Sequence, residues 1–135
     1  MCRIDCDPSD VWDAKQVKAR KTHMCCECLR TIERGETYEQ VSSLYDGRWS
    51  RFKTCKHCLI AREFLEVECD SYTARDVLEE LREHYSEELI YRTMWLARAI
   101  IGMRRGWKKA DGTLMSLPKE YPKSRLDSNS MATLG

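Results

Sequence analysis

No stretch of this 135-residue sequence is long and apolar enough to cross a bilayer. Its longest apolar run lies between Arg92 and Arg104 and is broken by Arg98, whereas a spanning helix needs about 20 mostly apolar residues. The opening residues, Met1-Cys2-Arg3-Ile4-Asp5, are charged and lack the apolar core of a secretory signal. Neither sign of charge is in excess. Lys and Arg number 23 against 22 Asp and Glu, for a net charge of +1, which argues against a uniformly basic nucleic-acid coat protein. No internal repeat is visible.

What the sequence does have is cysteine. Eight cysteines in 135 residues, with 42% hydrophobic and 33% charged residues, describe one small domain with a modest core and an abundant polar surface. Without an export signal the chain is expected in a reducing cytosol, where stable disulfides are rare. Metal ligation therefore accounts better for the thiols than bridging does.

The central motif is Cys25-Cys26-Glu27-Cys28, then 26 residues, then Cys55-Lys56-His57-Cys58. A Cys-x-x-Cys pair brings two sulfurs to one ion from a single tight turn, and two pairs complete a tetrahedron. Cys25, Cys28, Cys55 and Cys58 are thus expected to hold Zn²⁺ in a closed, structural site. Cys2, Cys6, Cys26 and Cys69 remain, and four is the number a second site needs. By that count two zinc ions are predicted, against the alternative of four inert packing cysteines. His23, His57 and His84 are expected to be surface or capping residues. One tetrathiolate site would take the net charge from +1 to −1, and two would take it to −3.

Between the pairs, Asp46-Gly47 separates β-forming residues and signals a two-residue hairpin turn. Helical spacing then runs from Lys56 to about Val67, from about Thr73 to Tyr85, and from about Glu87 to Arg105. Thr73 with Asp76 resembles a capping box, and Ser86 suits an N-cap. Leu89, Ile90, Thr93, Met94, Leu96, Ala97, Ile100 and Ile101 give the third helix a wide apolar face. A cysteine turn, a hairpin and a helix starting at the second pair form the outline of a treble clef. The predicted class is therefore α+β: a treble-clef-like knuckle and hairpin followed by about three helices. Residues 1–107 form the domain, with a zinc module over about 23–70 and a helical part over 71–107. Residues 108–135 read as a basic tail containing Pro and Ser.

Charge is segregated along the chain. Residues 59–91 carry three basic and ten acidic side chains, and residues 104–135 seven basic and three acidic. Arg104, Arg105, Lys108 and Lys109, with Trp107 among them, form a candidate partner-binding cluster that could meet phosphates and stack on a base. The same residues also suit a solvated helix C-terminus.

The segments Cys25–Tyr38, Asp46-Gly47-Arg48-Trp49 and Lys53–Cys58, with Cys69 and Gly102-Met103-Arg104-Arg105-Gly106-Trp107, resemble small cysteine-rich proteins encoded by bacteriophages and prophages of proteobacteria. The resemblance covers about residues 1–107. It implies a phage accessory protein acting in the bacterial cytoplasm and carries no settled activity.

The expected function is a non-enzymatic zinc-binding module whose partner is a host protein complex or a nucleic acid, with no membrane and no small-molecule substrate. Alternatives are a treble-clef nuclease of the HNH kind or a DNA-binding transcriptional regulator. The nuclease needs a histidine base and an open metal site, yet Arg48–Thr54 holds no His or Asp. No Ser-His-Asp set or phosphate loop is present. A thioredoxin-like redox role would need a βαβ pattern that is missing.

Overall fold

The computed structural model describes residues 10–85 and 90–122, and within them the chain is α+β, with five strands and three helices. β4 (Thr37–Tyr45) and β5 (Arg48–Cys55) form the hairpin expected from Asp46-Gly47, with Tyr45 opposite Arg48. Both turn residues take positive φ, 51° and 75°, as a type I′ turn requires. β1 (Val11–Lys18) pairs antiparallel with β4, so the sheet order is β1-β4-β5. A strand over 11–18 was not among the sequence expectations. Its residues are polar or exposed on both faces, so no alternation marks them.

β2 (His23–Met24) and β3 (Thr31–Ile32) form a second, minimal hairpin, with Cys25 and Cys28 in the turn between them. α1 (Lys56–Glu68) starts at the expected Lys56, directly after Cys55, ends one residue beyond the expected Val67, and packs on one face of the three-stranded sheet. Arg62 of α1 reaches back to Glu39 of β4 through two hydrogen bonds of 2.9 and 3.0 Å. The Tyr72 ring lies over the guanidinium, 4.1 Å away, so this buried cation is paired and covered, as burial demands.

α2 (Val77–His84) begins four residues later than predicted. Arg75 has φ +73°, which a helix cannot accommodate, and Asp76 makes no side-chain cap. The expected capping box is not formed; the Thr73 N–H donates instead to Glu80 at 2.8 Å. α3 (Ile90–Arg104) ends one residue before the expected Arg105, while Ser86, Glu87 and Leu89 lie outside the described residues. Its buried stripe is narrower than expected. Leu96, Ala99, Ile100 and Met103 are buried, whereas Met94 and Ile101 are exposed. None of these helices is long and apolar enough to cross a membrane.

The chain does not leave the domain at residue 108. Lys108 bridges to Leu114, and the segment then runs back across α1 and α3. Tyr121 is fully buried against Phe64 and Trp95, its N–H donates to Glu63 at 3.1 Å, and its hydroxyl donates to Glu68. The Trp95 indole N–H donates to the Lys119 carbonyl at 2.9 Å. The tail expected from 108 is thus corrected: the domain extends at least to Pro122. Sparse anchors, Met115 and Tyr121, hold a segment whose composition otherwise reads as loop.

Candidate metal centre

Two short turns build the centre. In the first, Cys25 accepts the Leu29 N–H at its carbonyl (3.0 Å) and donates its own N–H to the Arg30 carbonyl (2.9 Å). Closing so tight a knuckle puts Leu29 at φ +65°, a conformation β-carbons resist. In the second, Cys55 ends β5 and Cys58 lies in the first turn of α1.

The four sulfurs lie within 4.8 Å of one another, and all four residues are buried. Cys28 Sγ and Cys55 Sγ are 3.8 Å apart. A disulfide needs about 2.05 Å, so these are free cysteines. Four thiolates about 2.3 Å from a common ion sit about 3.8 Å from each other. The group therefore fits a tetrahedral metal ion with four sulfur ligands.

The surroundings suit thiolate charge. The Cys55 N–H donates to Cys25 Sγ at 3.3 Å, and the Trp107 indole N–H donates to Cys58 Sγ at 3.2 Å. Arg30 brings a buried cation beside Cys55; burial works against its charge, but the hydrogen-bonded Glu36 carboxylate, with a smaller contribution from Cys55, raises the guanidinium pKa above its ordinary value. Glu36 meets the Arg30 guanidinium at 2.8 and 3.1 Å and is held below the usual carboxylate range by it. His57, between the ligands of the second pair, is buried rather than a surface residue. Its Nε2–H donates to the Met115 carbonyl at 2.7 Å, which leaves Nδ1 to accept from Arg30 at 3.4 Å. Burial lowers the His57 pKa, consistent with this neutral tautomer. Such outer contacts orient ligands and tune their basicity.

Trp107, expected as an exposed stacking residue, is 3% exposed and belongs to this centre. The motif Gly102–Trp107 explains how it arrives. The Trp107 N–H donates to the Gly102 carbonyl at 2.7 Å, and a Cβ on Gly102 would come within 2.1 Å of the Trp107 ring. Glycine at 102 thus lets the indole lie flat on α3 while its N–H points at Cys58. Arg104, Arg105, Lys108 and Lys109 remain exposed around it.

Of the other four cysteines, Cys2 and Cys6 lie outside the described residues. Cys26 Sγ turns away from the cluster, 3.7 Å from Thr54 Oγ1 and from Glu27. Burial and the Glu27 charge push its pKa up to about 12, so it is a neutral thiol. Cys69 is disulfide-bonded and offers no thiolate in this form. Among the described residues only Cys25, Cys28, Cys55 and Cys58 form a group able to hold a metal ion. His84 is buried on α2 beside Phe64 and Cys69, and His23 lies tilted against Tyr38 with its Nδ1 3.0 Å from Lys53 Nζ. Glu27, inside the first cysteine pair, was not singled out from sequence. It is buried and accepts the backbone N–H groups of Arg75 at 2.7 Å and Val77 at 3.2 Å. Comparison with protein-family models, curated proteins and solved structures finds no match.

Proposed function

We propose that this chain is a non-enzymatic interaction module built on a structural zinc ion. The order of knuckle β2–β3, hairpin β4–β5 and helix α1 supports a treble-clef reading, with β1 added to the free edge of β4. The observation that carries the proposal is the closure of the centre. Four protein sulfurs, all buried, would fill every position around a tetrahedral ion and leave none for water or substrate. Zinc suits an all-thiolate tetrahedral set and brings no redox chemistry of its own. The nuclease alternative is disfavoured by His57, whose two ring nitrogens are engaged by Met115 and Arg30.

The module's role is to bind a host macromolecule, a protein complex or a nucleic acid, as a phage accessory protein modulating the host. Affinity capture from bacterial lysate with the zinc-loaded chain, with and without nuclease treatment, tests this role. A specific partner in either arm supports binding. Metal-dependent cleavage of a nucleic acid by the purified chain would contradict the non-enzymatic reading.

A further inference from the structure

The strand register sorts the sheet into two unlike faces. Ala14, Val41 and Phe52 share the face that α1 and the 70–76 loop pack on, where Val41 is buried, Arg75 lies over Phe52 and Ala14 at the β1 edge stays exposed. The opposite face carries Val11, Leu44 and Trp49 in one row, then Asp13, Ser42 and Arg51, then Lys15, Gln40 and Lys53. Among the described residues, the last row, Val17, Tyr38 and Cys55, is the one covered, by the knuckle. The open rows hold three cations against one carboxylate. Trp49 stands 64% exposed at their far end, across Leu44 from Val11, itself exposed.

At the knuckle end of the sheet, Arg20 and Arg34 flank a depression of about 640 Å³ with Ala19 and Gly35, while Lys18, opposite Thr37, falls on the α1 side by the strand register. The ion pairs found among the described residues use Arg30, Arg62 and Arg82 and none of these surface cations. Unneutralised cations gathered on one face favour a polyanion, and an exposed indole at the end of the row offers a base its π-face. A sheet face with an exposed aromatic side chain suits unpaired bases, which can splay out and stack, better than a duplex, whose bases are already stacked.

We propose that the open face of the β1-β4-β5 sheet, from Trp49 through Arg51 to Lys15 and Lys53, binds single-stranded nucleic acid. This replaces the Arg104–Lys109 cluster, whose only aromatic residue is buried, as the nucleic-acid surface. It rests on the interaction-module reading and names the partner and the face. Phosphates meet the cations, and a base stacks on Trp49. Zinc holds the knuckle that carries the chain from β1 across the end of this face.

The test is fluorescence anisotropy of the zinc-loaded full chain with 20-nucleotide oligo-dT, oligo-U and a 20-base-pair duplex over a series of salt concentrations. One or both single strands are expected to bind more tightly than the duplex, and the two single-strand arms distinguish DNA from RNA. Lys15→Glu with Arg51→Glu, both solvent-exposed, should weaken single-strand binding about 10-fold or more and lower the salt slope by about 1.4 for two lost phosphate contacts. Trp49→Ala should weaken it about 5-fold or more, while Arg104→Glu with Arg105→Glu should leave it unchanged. No binding at low salt, tighter duplex binding, or affinity indifferent to the Lys15/Arg51 and Trp49 variants would overturn the proposal. Capture of a nuclease-resistant protein partner together with no oligonucleotide binding would remove this inference and leave the module reading standing.

Discussion

The Trp107 indole N–H donates to Cys58 Sγ at 3.2 Å across 49 residues of sequence. Through this bond the chain just after α3 becomes part of the support of the four-cysteine cluster, and the Met115 carbonyl on His57 adds a second link from the C-terminal segment. The centre therefore ties the knuckle, the hairpin, α1 and the returning chain to one point.

Trp107→Phe keeps most of the ring and removes the N–H. Zinc affinity measured by competition with a chromophoric chelator should fall about 10-fold, at the low end of the cost of losing an outer-shell contact, with far-ultraviolet circular dichroism retained. Unchanged affinity would remove Trp107 from the centre's support. Gly102→Ala should be destabilising by about 1–3 kcal/mol in urea, as overpacking generally is, because its Cβ would meet the Trp107 ring.

Glu27 caps α2 from the knuckle, 50 residues earlier in the chain. Glu27→Ala should lower stability by about 1–2 kcal/mol, the cost of losing a good helix cap. Because Asp76 makes no cap of its own, the loss should be concentrated in α2. Hydrogen exchange should show faster exchange of the Arg75 and Val77 amides with the zinc content unchanged. Protection equal to wild type at both amides would contradict the capping role.

Tyr121→Ala removes a fully buried ring from between Phe64 and Trp95. Aromatic truncations in cores cost about 3–5 kcal/mol, so the urea midpoint should drop clearly. A midpoint within error of wild type would mean that residues 115–122 do not pack as described.

The features legible in the sequence were those fixed by neighbours a few residues apart. Two Cys-x-x-Cys pairs, Asp46-Gly47 and the spacing of α1 each state their geometry locally. Features set by distant partners were not legible. α2 starts late because its cap is Glu27 rather than Thr73 or Asp76. β1 pairs with β4 while most of its residues stay in solvent, so it lacks the apolar alternation of a half-buried strand. Residues 108–122 have a tail's composition, yet a few side chains and backbone groups, Met115, Lys119 and Tyr121, bind them to α1 and α3. Trp107 sits among four cations in sequence, but the turn at Gly102–Gly106 aims it inward.

The most direct test of the account is zinc content and folding measured together on the wild type and on Cys58→Ser. The wild type, purified without added metal, should hold about one zinc per chain at the four-sulfur site. A second ion would need Cys69 in its reduced form. Cys58→Ser should lose that zinc and unfold the region spanning residues 25–70, since structural zinc supplies on the order of 10 kcal/mol in small zinc-dependent folds. A wild type free of metal, or a Cys58→Ser variant with unchanged circular dichroism and melting temperature, would contradict the claim that zinc holds this fold together.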